Sequence, residues 1–226
     1  MSNDDLSRRD ALTSGAAAAL VGVGAALAVS AVTRDAHAQN AADATALNGL
    51  LRAEYEAIRA YDTAIGYLMS PPMTDPGASL GPAAAAVANR FRAQHRDHAT
   101  ALIPLVTAAG GTPVNESTVL FTPPAGLSLS VSNLIRLAAN KEKAAAIAYT
   151  NALRTLSTQG AAEVVAAIGG VETQHFIVLY LLAKGIAQPG MNAATMTNAI
   201  VPSSFVSIEA NPSASLDSVA DLAFTA

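Results

Sequence analysis

The chain has 226 residues, 51% of them hydrophobic and many of them alanine, with a net charge of -4 and neither cysteine nor tryptophan. This length suits one domain and a leader, and an alanine-rich composition favours closely packed helices. The acidic balance argues against the basic surface that nucleic-acid binding needs. The absence of cysteine excludes disulfides and thiolate metal sites.

The first 38 residues have the pattern of a cleaved export signal. The pair Arg8-Arg9 resembles the twin-arginine motif, although the small Ala11 stands where an apolar or aromatic residue is usual. An uncharged stretch from Ala11 to Thr33 follows, and Ala36-His37-Ala38 fits a small-x-small cleavage site. We predict twin-arginine export, cleavage after residue 38, and a periplasmic or secreted protein without stable membrane association. The alternative is an uncleaved membrane anchor, since the stretch is nearly long enough to span a bilayer.

Four amphipathic helices are predicted in the rest of the chain. The first begins near Asp43, a good N-cap residue, and ends where Pro71 and Pro72 stop it. The predicted helices span about 43–69, 82–109, 130–157 and 161–184. Short loops join the first to the second and the third to the fourth, whereas residues 110–129 are long enough to recross a bundle. The pattern predicts an all-α four-helix bundle over residues 39–186 with one long crossover.

The extension over residues 187–226 has no counterpart in that bundle. Pro189, Pro202 and Pro212 break it into short pieces. We predict an irregular segment that packs on the bundle or on a partner. The alternative is disorder, which the polar composition of residues 211–218 favours locally.

Every predicted helix carries a carboxylate or an imidazole on its apolar stripe. An ionised carboxylate there is costly unless it is paired, hydrogen-bonded or bound to a metal. The polar positions are Glu54 on the first helix, either Gln94 or His95 and then His98 on the second, Glu142 on the third, and Glu172 and His175 on the fourth. The rest of the third stripe is predicted as Leu134, Ala138, Ala145, Tyr149, Leu153 and Leu156.

The two helix pairs look like copies of one hairpin. Glu54 is followed seven residues later by Tyr61, and Glu142 is followed in the same way by Tyr149. The segment His95-Arg-Asp-His98 aligns with Glu172-Thr-Gln-His175, and each pair lies about one helical turn apart. The spacing therefore predicts that all these side chains meet in the bundle core.

With this repeat, the segment from about Asp43 to Lys184 resembles the ferritin-like superfamily. More narrowly, it is similar to exported bacterial ferritin-like domain proteins with twin-arginine signals, a group related to plant desiccation-related proteins. The resemblance implies a ferritin-like bundle with the crossover between the second and third helices. In di-metal members of the superfamily, the first and third helices each give a Glu, and the second and fourth each give a Glu-x-x-His.

Carried over by position, the resemblance implies a metal site in this chain. The implied ligands are Glu54, His98, Glu142, Glu172 and His175, with His95 where the superfamily has the Glu of its second Glu-x-x-His. That Glu is one of two that commonly bridge the metals, so its loss weakens the expectation of a standard di-iron oxygen-activating centre. Iron is the expected ion and manganese or zinc are the alternatives; one or two ions per chain remain open.

The leading functional hypothesis is an exported metal-binding protein with a redox or metal-storage role. If the protein is an enzyme, we expect a metal-dependent oxidoreductase. One alternative is a non-catalytic stress-protective or scaffold protein, in which Tyr61, Tyr149 or Arg92 satisfies the core carboxylates. Another is a ferritin-like cage subunit. The sequence leaves homo-oligomer formation open.

Overall fold

In the computed structural model, residues 41–184 and 220–225 are described. The predicted signal over 1–38 and most of the extension over 187–226 lie outside the described residues. The described part contains four long helices and two short 3₁₀ turns, at Ala78–Leu80 and Glu116–Thr118. The helices are α1 (Ala41–Met69), α2 (Gly81–Ala108), α3 (Val131–Leu153) and α4 (Gln159–Ala183). The predicted all-α four-helix bundle is confirmed.

The helices pack as two hairpins that the crossover joins. α1 packs mainly on α2 and α3 mainly on α4, whereas α1 and α3 touch more sparsely. α2 ends where Gly110 takes a φ of 81°, a left-handed conformation that favours glycine and lets the N–H of Gly111 bond the carbonyl of Val106. Ser130 caps the N-terminus of α3, and its side chain accepts a hydrogen bond from the N–H of Asn133.

Two carboxylates of the first hairpin accept hydrogen bonds from residues at the N-terminal ends of α3 and α4. Asp43 was predicted to cap α1, but α1 begins at Ala41, and the Asp43 carboxylate accepts hydrogen bonds from Ser157 and Thr158 just before α4. At the other end of the bundle, Asp75 accepts hydrogen bonds from the N–H of Val131 at 2.7 Å and the hydroxyl of Tyr67 at 3.0 Å. The N-cap prediction for Asp43 was therefore wrong, because a longer-range partner uses that carboxylate.

The predicted stripe of α3 is only partly correct. Glu142 and Tyr149 are buried as expected, but Leu134, Ala138 and Ala145 are half-buried. Core positions on this helix are taken instead by a neighbouring set: Val131, Ile135, Ala139, Ala146 and Ala152. Alanine is weakly hydrophobic and occurs on several faces of α3, so the periodicity did not fix the rotation of the helix.

The described end of the extension lies along α3. Asn140 exchanges hydrogen bonds with both main-chain groups of Leu222, and Asn133 does the same with Thr225. The side chain of Leu222 is buried in the core of the bundle. Residues 220–225 are thus held by backbone hydrogen bonds, by the buried Leu222 side chain and by an ion pair between Asp221 and Lys143.

α4 is long and apolar enough, by length and composition, to cross a membrane, a test that core helices of bundles also pass. In the bundle its buried stripe contains Val165, Ile168, Glu172 and His175. Gly169 lies against Tyr149, where an added Cβ would come within 3.0 Å of the tyrosine Cβ. This glycine therefore allows α3 and α4 to approach closely beside the polar residues.

Candidate metal centre

The structure brings together all six site residues predicted from the sequence. They come from all four helices and each is at most 8% exposed: Glu54, His95, His98, Glu142, Glu172 and His175. The sequence left Gln94 and His95 as alternatives for the core position, and His95 is the buried one. We call these six residues the polar cluster. It divides into two half-sites that share His95 and Glu172.

The Glu54 half-site consists of Glu54, His98 and the two shared residues. His95 Nδ1 lies 2.7 Å from Glu54 Oε2, and His98 Nδ1 lies 2.8 Å from Glu172 Oε1. One donor atom from each of the four residues falls within 4.8 Å of all the others. Such a set is compact enough to surround a single ion.

The Glu142 half-site is the matching group on the other side of His95. His95 Nε2 lies 3.1 Å from Glu142 Oε1, and His175 Nδ1 lies 3.3 Å from Glu142 Oε2. Glu172 Oε2 is 3.5 Å from the same nitrogen of His175. The two oxygens of Glu172 and the two nitrogens of His95 therefore each face a different half-site.

Two buried tyrosines hold the carboxylates across the bundle. Tyr61 of α1 donates its hydroxyl hydrogen to Glu142 of α3, and Tyr149 of α3 donates to Glu54 of α1. Burial, together with the adjacent carboxylates, raises the pKa of both tyrosines well above 10.0 and keeps them protonated. The pairing is reciprocal, so each hairpin orients the carboxylate of the other.

Gln94 and Phe91 orient His175, a role the sequence did not predict for either residue. Gln94 Oε1 lies 3.0 Å from His175 Nε2, and a carbonyl oxygen there accepts the Nε2 hydrogen. The lone pair of His175 Nδ1 then points at the Glu142 half-site. The ring of Phe91 stacks on that imidazole with centroids 3.9 Å apart. The only sequence signal was that Gln94 sits at the edge of the α2 stripe.

For most residues of the polar cluster, charged neighbours and burial shift the pKa in opposite directions. Burial would raise the pKa of Glu54, but its contacts with His95 and His98 outweigh it and lower that pKa to about 2. Burial would lower the pKa of His98, but the Glu172 and Glu54 carboxylates raise it to about 9. In the Glu142 half-site, burial is likewise outweighed, and contact with His95 keeps the pKa of Glu142 well below its ordinary value. Without a metal, imidazolium and carboxylate groups can therefore balance one another.

Glu172 departs from this balance. Burial raises its pKa, and the contacts with His175 and His98 only partly offset that effect. The side chain is 0% exposed, and neither carboxylate oxygen has a hydrogen-bond partner among the described residues. His98 Nδ1 also lacks one, because its close contact with Glu172 does not have hydrogen-bond geometry. Buried polar atoms without partners are costly and call for an explanation.

The donor set fits a first-row transition metal. Each half-site combines imidazole nitrogens with carboxylate oxygens, and such mixed sets suit iron, manganese and zinc. An ion in the Glu54 half-site would be a partner for Glu172 Oε1 and for His98 Nδ1. An ion in the Glu142 half-site would be a partner for Glu172 Oε2. The residues present therefore fit a metal ion, with the imidazole of His95 standing between the two half-sites.

The comparison with protein families agrees with this architecture. A family model described as a ferritin-like domain matches residues 42–184. Among solved structures, the crystal structure of a conserved hypothetical protein from Mycobacterium tuberculosis is similar, with 18% sequence identity and a TM-score of 0.49. The similarity covers 69% of this chain and 99% of that one. No curated protein matches the sequence.

Proposed function

We propose that this chain, which belongs to the ferritin-like domain family, binds one or two transition-metal ions in its bundle core, with iron as the expected ion. The observation that carries the proposal is the carboxylate of Glu172, fully buried with both oxygens lacking a hydrogen-bond partner among the described residues. A cation between the half-sites gives that carboxylate its missing partner. The bound metal would serve redox or metal-storage chemistry.

The two half-sites are expected to bind metal unequally. A neutral imidazole has a single lone pair, so His95 can ligate an ion in only one of them. Its Nδ1 makes the shorter contact, 2.7 Å to Glu54, which favours a hydrogen on Nδ1 and leaves Nε2 for the Glu142 half-site. In that half-site Gln94 also fixes His175 with its Nδ1 free to ligate. We therefore expect the tighter ion to be held by His95, Glu142, Glu172 and His175.

The surrounding residues position these ligands. Tyr61 and Tyr149 hold one oxygen of each core carboxylate and leave the other for a cation. When bound, the metal supplies Lewis-acid or one-electron chemistry, which the side chains of the cluster lack. The protein keeps the ligands fixed in a buried setting, and fixed ligands are what preorganise a metal site.

Metal analysis of single-glutamate variants tests the proposal. We would load the protein from Gln39 onward with Fe²⁺ without oxygen, and separately with Mn²⁺ and Zn²⁺, then measure bound metal per chain. Glu142→Gln is expected to remove the tight ion and Glu54→Gln the weaker one. Glu56→Gln is the matched control, since Glu56 lies on α1 outside the cluster. Substoichiometric metal in the wild type with all three ions would overturn the proposal.

Iron capacity separates the redox role from the storage role. A redox centre saturates at one or two ions per chain, however much iron is supplied with oxygen. A storage protein accumulates many more ions per chain, and it does so only as an assembled shell. Iron titration with parallel measurement of molecular mass therefore distinguishes the two.

A metal-free scaffold or stress-protective role is the second candidate. His95 contacts both Glu54 and Glu142, and the two tyrosines complete a polar layer that balances its own charges. This role predicts that Glu172→Gln leaves function and stability intact. The orphaned oxygens of Glu172 favour the metal-binding proposal over it.

We also propose that the protein is exported through the twin-arginine pathway and cleaved after Ala38. The paired arginines, the weakly hydrophobic stretch and the small residues at 36 and 38 support this. Replacing Arg8 and Arg9 with lysine should retain the precursor inside the cell, and mass spectrometry of the exported wild type should find Gln39 at its N-terminus. Export of the double-lysine variant, or a mature protein that keeps residues 1–38, would contradict the proposal.

A further inference from the structure

An unfilled apolar slot of about 400 Å³ lies between α1 and α3. Its walls are columns of alanine: Ala53, Ala57, Ala60 and Ala64 on α1, and Ala138, Ala145 and Ala148 on α3. Several of the α3 residues that line it are those whose periodicity predicted a core position. Their small side chains leave space where the two helices touch only sparsely.

The crossover turns this gap into a slot by covering it on a third side. Phe121, Leu127 and Leu129, from the segment between α2 and α3, line the same space. The lining residues run from Ala53 to Leu68 along α1, a length of about 22 Å at 1.5 Å per residue. A volume of this size falls within the range of small-molecule sites. A volume of about 400 Å³ spread over this length makes the space long and narrow.

The chemistry of the slot changes along its length. At the level of the polar cluster it is lined by Glu54, Tyr61, His95 and Glu142, and beyond that it is lined mainly by apolar residues, most of them alanine and leucine. Water in the apolar part has few polar groups to bond, so an apolar occupant is favoured there. Among the described lining residues, Lys141 is the one lysine or arginine, and it pairs with Glu56 across the slot at 3.0 Å.

We propose that this slot binds one unbranched fatty acid. The alkyl chain lies among the alanines, and the carboxylate pairs with Lys141 in place of Glu56, whose side chain is 37% exposed and free to turn into solvent. A single chain suits the narrow shape, and an anionic head suits the lysine. This inference goes beyond metal binding, because the alanines and Lys141 that hold the ligand are not among the metal-ligand candidates, although Glu54, His95 and Glu142 line part of the same slot.

Titration calorimetry with laurate tests the slot directly. The wild type should bind one laurate per chain. Ala138→Leu should weaken binding by at least about tenfold, since a leucine that excludes two methylenes removes roughly that much affinity. Ala60→Leu, from the opposite wall, provides a second test if the first variant folds poorly. Ala93→Leu is the matched control on the exposed side of α2.

The head group is tested by comparing laurate with dodecanol. Laurate should bind more tightly to the wild type, and Lys141→Gln should remove that preference, whereas Lys184→Gln should not. Equal binding of the two ligands would overturn the assignment to Lys141. No laurate binding by the wild type, or binding that neither leucine variant weakens, would overturn the slot itself.

A metal-binding control keeps this inference separate from the proposed function. Laurate titration of Glu172→Gln should match the wild type, because Glu172 does not line the slot. Loss of metal with retained laurate binding is the expected pattern for that variant. If the wild type binds metal but not laurate, the fatty-acid proposal fails and the metal-binding proposal stands.

Discussion

The two hairpins carry similar polar residues in the core, and they differ at the position that is His95 in α2 and Glu172 in α4. α1 and α3 each provide a glutamate and a tyrosine that pair across the bundle. α2 provides His95 where α4 provides Glu172. His95 uses both ring nitrogens on carboxylates, whereas Glu172 has no hydrogen-bond partner among the described residues. His95 therefore has a hydrogen-bonded carboxylate on each ring nitrogen, whereas Glu172 lies beside the imidazoles of His98 and His175 without a hydrogen bond from either.

His95→Glu is the variant expected to have the largest effect, because it would give α2 the same Glu-x-x-His pattern as α4. In metal-free protein it adds a buried carboxylate and removes the imidazole that pairs with Glu54 and Glu142. We expect the free energy of unfolding to fall by about 3–5 kcal/mol, as for a buried charge that loses its partner. Urea unfolding in the presence of a chelator measures this.

The same variant should bind two metal ions of similar affinity, since two carboxylates can then bridge them. Metal loading should recover the lost stability, because ligands that bind only the folded state stabilise it. A chelated variant as stable as the wild type would show that His95 does not balance the carboxylates.

The tyrosines test whether the hairpins support each other equally. Tyr149→Phe removes the hydrogen bond to Glu54, and Tyr61→Phe removes the one to Glu142. Each should lower the free energy of unfolding by about 1.5–3 kcal/mol, since each bond is to a charged acceptor. Tyr55→Phe is the control, because the Tyr55 ring is buried but the hydroxyl donors to Glu142 and Glu54 are Tyr61 and Tyr149. A clear inequality between the two variants would mean that the half-sites differ by more than His95.

Gln94→Leu tests the orientation of His175, which has no equivalent in the Glu54 half-site among the described contacts. Without the carbonyl at 3.0 Å, the Nε2 hydrogen of His175 loses its acceptor and the tautomer is no longer fixed. We expect metal affinity to fall about 10- to 100-fold. Competition with a chromogenic chelator measures the affinity, and Gln174→Leu on the exposed face of α4 is the matched control. Equal affinities of Gln94→Leu and wild type would remove Gln94 from the site.

The smallest expected effect concerns Asp75, whose carboxylate accepts a hydrogen bond from the first residue of α3. The hydrogen bond from the N–H of Val131 lowers the pKa of Asp75 below 3.8, and that from Gly77 adds to it. The ionised form therefore contributes stability above pH 3.8, and this contribution disappears as the pH falls through the lower, folded-state pKa. Asp75→Asn should be less stable than the wild type near neutral pH, and the difference should shrink in acid. Thermal unfolding across pH measures this difference, and Asp97→Asn is the exposed control. A stability difference between Asp75→Asn and the wild type that stays constant with pH would contradict the prediction.

Much of this architecture could be predicted from the chain alone. Paired prolines and glycines set the ends of α1 and α2, and a polar residue on each apolar stripe identified the cluster. These features are local, because a helix of known period places its residues without knowledge of its neighbours. The resemblance to the ferritin-like superfamily rests on the same residues, and the match of the ferritin-like domain model over residues 42–184 confirms it.

The features that could not be predicted depend on contacts between distant parts of the chain. Gln94 meets His175 across 81 positions, and Asp43 meets Ser157 across 114. The predicted rotation of α3 was wrong by part of a turn, because alanine occurs on several faces of that helix. With that rotation, the sequence did not predict the slot between α1 and α3. Neither type of information is present in the period of one helix.

The contact between α3 and the end of the chain sets an unusual sequence requirement. Asn133 and Asn140 bind the N–H and carbonyl of residues 225 and 222, so α3 recognises main-chain groups there. It also contacts side chains of this segment: Leu222 in the core, Asp221 through Lys143, and the Thr225 hydroxyl through Asn133. Most side chains at 220, 223 and 224 should be interchangeable. Proline at 222 or 225 should release this segment from α3, because proline has no N–H to donate to Asn140 or Asn133.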